Sequence, residues 1–280
     1  MRNIRLTLAY DGTNYVGWQV QPNGVSVQQR VEQAIHSLTG EEVRLLAAGR
    51  TDAGVHALAQ VANFQTRTTI PCDGIRAGLQ SHLPEDIVVR EAADVDESFH
   101  ATYSAKTKRY RYIIHTGRAP YPFLRNYAFH WRGQLDAAAM HAAVQVLVGT
   151  HDFRSFESQF PNKATSVRTV LEAAVTRHAG WPGWETSFPA PRTDAAAPTD
   201  SAAELSFLWF EIVADGFLYN MVRAIVGTLI KVGEHKWTAA DVRRVLESQD
   251  RAEAGPTVPP QGLYLVEVHY GEDAPGRGDT

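Results

Sequence analysis

The feature that most constrains this chain is an octapeptide, Gly49-Arg50-Thr51-Asp52-Ala53-Gly54-Val55-His56, set between two runs that read as strands. Val43, Leu45 and Ala47 alternate before it, and residues 59–64 after it are rich in small and apolar side chains. Gly49 and Gly54 permit a tight or strained backbone, so Asp52 is expected to sit exposed on a rigid support, with Arg50 two positions away. This turn is where the chemistry is expected. On spacing alone a second reading stands beside it, in which Thr51 or Asp52 caps a following short helix. Asp52 and His56 could also share a helical face. A hydrolytic metal site usually needs three protein ligands, however, and no His-x-x-x-His or carboxylate cluster supplies them. His56 therefore reads as a structural hydrogen-bonding group, and no metal is expected.

Ile4, Leu6, Leu8 and Tyr10 alternate as in a half-buried strand, which Asp11-Gly12 and Gly17 end in a loop carrying Tyr15 and Trp18. Ser26 and Gln29 make a capping-box start, and Val27, Val31, Ile35 and Leu38 give a helical stripe that Gly40 terminates. A short helical stretch around Ile75 to Leu79 and an extended run from Ile87 to Arg90 complete a β-α-β-β-α-β-like unit. The chain from Phe99 to Ala105 crosses into a second unit that opens with a strand from Lys108 to His115, followed by an aromatic-rich loop through Trp131. Helical spacing follows in Leu135 to Val148, then strand-like runs in Val170 to Arg177 and Leu205 to Ala214. Helices over Asn220 to Val232 and Thr238 to Ser248, and a strand from Gly262 to Val268, complete the unit.

Strands and helices alternate irregularly, with hairpin-like neighbours, which favours α+β with mostly antiparallel sheets over a doubly wound parallel sheet. The expected domains are residues 1–105, carrying Asp52, and residues 106–280. The second would contain a surface insertion near 180–201, crowded with Pro, Ala, Thr and Asp, and a frayed tail from residue 271.

With 280 residues, 44% of them hydrophobic, the chain can bury a substantial core. Its one cysteine, Cys72, excludes an intrachain disulfide and fits a reducing compartment. No signal-type run opens the sequence and no stretch approaches the roughly 18 apolar residues of a membrane span, so the expected address is the cytoplasm, with no membrane contact. A net charge of −4 does not advertise a nucleic-acid binder. The local field matters more, and Lys106, Lys108, Arg109 and Arg111 fall close together. They read either as a basic groove or as the solvated side of a strand. In a strand Lys108, Tyr110 and Tyr112 would share one face, with Arg109 and Arg111 on the other. The first face can offer an aromatic platform beside a cation, although on the residues alone core packing of both tyrosines is the safer reading. Arg223 stands on an otherwise apolar helix, which is costly unless an anion meets it, so a carboxylate partner is expected.

The run from Ala48 to Ala57, with the Tyr10-Asp11-Gly12 and Gly17-Trp18-Gln19 loop, resembles the signature of the TruA-type tRNA pseudouridine synthases. The resemblance runs from about residue 4 to residue 270 and implies two pseudouridine-synthase-type domains with the catalytic cleft between them. It implies an enzyme, an isomerase that converts uridine to pseudouridine at positions 38, 39 and 40 of the tRNA anticodon stem-loop, without a cofactor, as a homodimer. Asp52 matches the catalytic aspartate. Phe217 to Arg223 and the following Ile225-Val226-Gly227 resemble the segment whose arginine pairs with it, which would keep the carboxylate ionised as a nucleophile must be. A structural ion pair between Arg223 and another acid is the alternative. Lys108-Arg109-Tyr110-Arg111-Tyr112 matches the motif whose first tyrosine stacks on the target uracil and is a candidate to take its C5 proton. Arg50 matches the arginine that helps hold the nucleotide out of the stack, and Lys108 is the cation beside the platform. One departure is Thr102, where the family usually has arginine after Phe-His-Ala.

Two rivals from other classes stand against this reading. One is an RNA-binding or chaperone module that keeps the fold without turnover, against which the intact Asp52 and Arg223 speak. The other is a metal-dependent phosphodiesterase using Asp52 and His56, which a chelator would inactivate.

Overall fold

Residues 1–158, 165–181 and 206–271 are described by the computed structural model. They divide into two units, Met1–Lys108 with the chain from Leu265 onward, and Arg109–Tyr264. Apart from its first two residues, the expected insertion lies outside the described residues, as does the tail beyond Gly271.

The first unit runs β1 (Arg2–Tyr10), α1 (Val27–Thr39), β2 (Leu46–Ala47), β3 (His56–Thr66), α2 (Cys72–His82) and β4 (Ile87–Val95). The alternation in β1 makes it the middle strand, antiparallel to β3 with Ile4 opposite Phe64, and to β4 with Leu8 opposite Val89. Ile4, Leu6 and Leu8 are fully buried. Helix α1 starts where Ser26 accepts the Gln29 backbone N–H at 3.2 Å, and it stops at Gly40, whose φ of 73° is left-handed. Helices α1 and α2 approach closely enough that a Cβ on Gly78 would lie 2.6 Å from Leu38 Cδ1.

The alternation of Val43, Leu45 and Ala47 yields only the two-residue β2. Leu45 sits outside it because its N–H is donated to the Glu32 side chain at 2.9 Å, not to a neighbouring strand.

The second unit contains most of β5 (Thr107–Gly117), then β6 (Phe129–Arg132), α3 (Ala137–Val144), β7 (Gly149–Asp152), β8 (Val167–Ala179), β9 (Ser206–Ala214), α4 (Met221–Gly233) and α5 (Ala239–Ser248). Strand β10 (Leu263–His269) begins in this unit and passes into the first at Leu265. The strand order is β5-β9-β8-β7, with β7-β8-β9 antiparallel. Strand β6 lies inside the segment expected to be a loop. Its aromatic residues pair in parallel with β5, Phe129 opposite Ile114 and Trp131 opposite Thr116. A pairing this far from any hairpin has no local turn signal to announce it. Helix α4 is buried along nearly its whole length, with Arg223 and Lys231 the more accessible positions, and α3 packs between it and β8.

The architecture is α+β, with antiparallel β1–β3, β1–β4, β2–β3, β7–β8 and β8–β9 pairings and a parallel β5–β6 pairing. Among the described residues no helix is long and apolar enough to cross a membrane.

Candidate active site

In the first unit the octapeptide is clamped from one side by the loop that follows β1. Asp52 bridges Gly17 in antiparallel fashion, and the Trp18 N–H donates to the Thr51 carbonyl at 3.0 Å. Gly17 has a φ of 110°, and a Cβ there would lie 2.6 Å from the Thr51 carbonyl oxygen. Gly12 is pressed against the far end of the turn, where a Cβ would lie 2.0 Å from the Val55 carbonyl oxygen. Both glycines are therefore required by close backbone approach. The turn itself closes through the Val55 N–H to the Asp52 carbonyl at 3.1 Å, with Gly54 left-handed at φ 75°.

Side chains complete the mount. The Tyr10 hydroxyl and the Thr51 hydroxyl are 2.8 Å apart in the core, and burial pushes the Tyr10 phenol up to about 12. Gln60 on β3 donates to the Gly49 carbonyl at 2.8 Å. His56 is buried, and its Nδ1 accepts the Gly12 N–H at 3.1 Å. Nδ1 also lies 3.2 Å from Asp11 Oδ1. Asp52 is half-buried on this frame, and Arg50 is exposed. Lys108, the last residue of the first unit, reaches back to the turn, with Nζ 3.7 Å from where a Gly49 Cβ would be. Thr102 donates its hydroxyl to the Ala47 carbonyl at 2.6 Å, so it ties its own turn to β2.

In the second unit Arg223 is held by its own helix cap and by the segment before β10. Nη1 donates to Asn220 Oδ1 and Nε to the Val258 carbonyl, both at 2.7 Å. Asn220 is left-handed at φ 62° and donates its Nδ2 to the Ser158 hydroxyl at 2.7 Å. The Val258 carbonyl is in place because residues 255–256 lie flat on α4. A Cβ on Gly227 would be 1.8 Å from the Pro256 carbonyl oxygen, and the Gly255 N–H donates to the Thr228 hydroxyl at 2.9 Å. Tyr110 is nearly buried on β5, and its ring meets Phe217 edge-on with centroids 4.8 Å apart. Tyr112 donates its hydroxyl to the Pro259 carbonyl at 2.7 Å, and burial raises its phenol far above the ordinary value although Arg223 opposes this.

The basic run beginning at Lys106 does not form a single groove. Arg109 is 8% exposed and Arg111 is fully buried. Arg111 donates Nε and Nη2 to Glu211 Oε1 at 3.0 and 2.8 Å, and its guanidinium lies 3.7 Å over the Trp209 ring. The partners of Arg111 are on β9, remote in sequence, so local spacing did not reveal a core residue. The clamping roles of Gly12 and Gly17 and the strap at 255–258 were also missed. The only local hint was the density of glycine around these segments.

A family model described as tRNA pseudouridine synthase matches residues 7–104 and 143–271. Three relatives, from Thermoanaerobacter sp. (strain X514), Acetivibrio thermocellus and Moorella thermoacetica, are each named tRNA pseudouridine synthase A. The first two are 46% identical to this chain over 270 residues, 96% of the chain and all of the relative. The third is 42% identical over 269 residues, 95% of the chain and 99% of the relative. The family match spans both sides of the chain that carry Asp52 and Arg223, and similarity of this extent and length settles the kinship: the chain belongs to the tRNA pseudouridine synthase family.

Proposed function

We propose that the protein isomerises uridine to pseudouridine at positions 38, 39 and 40 of the tRNA anticodon stem-loop, with Asp52 as the nucleophile and no cofactor or metal, as a cytoplasmic homodimer. The reaction breaks the N1–C1′ bond, forms C5–C1′, releases the C5 proton and returns a proton to N1. One fragment must be held while the other turns in place. The observation that carries this reading is the mount of Asp52, whose backbone is bridged to Gly17 and flanked by the Trp18–Thr51 hydrogen bond. A backbone fixed in this way has little freedom left to lose when the target ribose meets the carboxylate that it carries. Attack at C1′, attack at C6 and assistance to a glycal route share that requirement.

Arg223 pairs with Asp52 in this reading and keeps it ionised. The two bonds from Nε and Nη1 aim its guanidinium, which supports a positioning role. Tyr110 stacks on the uracil and relays the C5 proton, its phenol oxygen taking it up as its own hydroxyl proton is passed on, and the Phe217 edge contact supports a fixed ring plane. Arg50, exposed beside Asp52, holds the extruded nucleotide against the cost of lost stacking, on the order of a few kcal/mol. Lys108 contacts the RNA backbone next to Gly49.

The test is incubation with unmodified tRNA followed by carbodiimide mapping of pseudouridine, for the wild type and Asp52→Ala. The wild type is expected to modify 38, 39 and 40. The variant is expected to bind tRNA and modify nothing, and turnover by Asp52→Ala would defeat the assignment.

A further inference from the structure

Beside β2 the turn at residues 99–104 is secured from several directions, yet it displays an aromatic ring that the fold does not use. Asn63 Oδ1 on β3 accepts the Ala101 N–H at 2.9 Å, and Asn3 Nδ2 on β1 donates to the Phe99 carbonyl at 2.9 Å. The Tyr270 hydroxyl donates to the Ala101 carbonyl at 2.8 Å, and Ala101 is fully buried. On this frame Tyr103 is 82% exposed, with its ring centroid 4.3 Å from that of His100. The imidazole is oriented too, since its Nδ1 accepts the Thr102 N–H at 3.2 Å.

We propose that His100 and Tyr103 form a stacking platform for an unpaired base of the substrate RNA next to the target nucleotide, a contact that rests on the tRNA-modifying reading. Tyr103 offers the exposed face, with the half-buried His100 ring behind it at an interplanar angle of 39°. An exposed ring held by a rigid turn is what single-stranded bases bind, because every base offers a π-face and the protein side is already ordered. The platform is tied to β2, the strand that leads into the octapeptide, through Thr102, whose hydroxyl bonds the Ala47 carbonyl two residues ahead of Gly49. A base seated on Tyr103 therefore registers the RNA against the same short stretch of backbone that carries Arg50 and Asp52.

The experiment compares Tyr103→Ala, Tyr103→Phe and the wild type on unmodified tRNA, reading dissociation constant, KM, kcat, thermal midpoint and oligomeric state. Tyr103→Ala is expected to weaken binding and raise KM by about five- to a hundredfold, the span of alanine substitutions at base-stacking aromatics. The loss falls on KM more than on kcat, the thermal midpoint holds, and Tyr103→Phe binds like the wild type. Unchanged affinity in Tyr103→Ala overturns the platform, as does an equal loss in Tyr103→Phe or a change of oligomeric state that accounts for the whole effect. If the wild type binds tRNA but forms no pseudouridine, the tRNA-modifying reading fails by itself, and the dissociation constants alone decide the platform.

Discussion

Gly17 and Asp52 form an isolated antiparallel bridge, so the backbone of the proposed nucleophile is paired with a residue that only glycine suits. Gly17→Ala adds a methyl group 2.6 Å from the Thr51 carbonyl oxygen at a φ of 110°. We expect a stability loss of about 1–3 kcal/mol from the strained backbone. The larger loss is in kcat, about a hundredfold, as ångström-scale misplacement produces. Thermal melts and single-turnover pseudouridine formation check both, and a variant with wild-type kcat would show that the bridge does not position Asp52.

The proposed pair between Asp52 and Arg223 is tested by a double-mutant cycle on stability, with Asp52→Asn, Arg223→Met and the combination. Charges that meet should couple by about 0.5–3 kcal/mol, measured by urea denaturation. Additive losses sink the pairing. Arg223→Lys is expected to lose activity as well, because an ammonium cannot span the Val258 carbonyl and Asn220 Oδ1 as the guanidinium fork does.

Arg111 and Glu211 are both buried and bonded to each other. Arg111→Met leaves the carboxylate without its cation and should cost about 3–5 kcal/mol, while Arg111→Met combined with Glu211→Leu should recover most of that loss. Chemical denaturation of the three proteins decides. A double variant no better than Arg111→Met would mean that the pair contributes specific structure which apolar packing cannot replace.

Tyr10 supplies a pH dependence. Its phenol is held up at about 12 by burial, against an ordinary value of 10. The folded state therefore keeps this proton after the unfolded chain has released it. The stabilisation is complete below pH 10 and falls as pH rises from 10 towards 12. Tyr10→Phe should flatten the decline in that window, at a cost near neutral pH of about 1 kcal/mol for the lost bond to Thr51. Urea midpoints at stepped alkaline pH would falsify this if both proteins decline alike.

Elements whose cause is local are legible in the sequence. The Ser26 cap, the Gly40 stop and the alternation of β1 each depend on residues a few positions apart. The octapeptide also declared itself, because glycines at both ends of an Arg-x-Asp turn are a local pattern. What escaped was set by partners distant in sequence. Arg111 looked like a surface cation until Glu211 and Trp209 on β9 enclosed it. Strand β6 escaped for another reason, since it pairs in parallel with the strand just before it and so has no hairpin turn to announce it. His56 is the intermediate case. The residue type suggested a hydrogen-bonding role, but nothing in the spacing identified the Gly12 N–H as its donor.

The contact between Gly227 and Pro256 couples two segments that would otherwise vary independently. With no space for even one methyl group on the helix, a bulkier residue at 227 has to lift the strand-bound strap, and the Val258 carbonyl would travel with it. The guanidinium would then lose an anchor without any change in its own neighbours along the helix. Side-chain volume at position 227 thus sets the aim of a guanidinium one helical turn away.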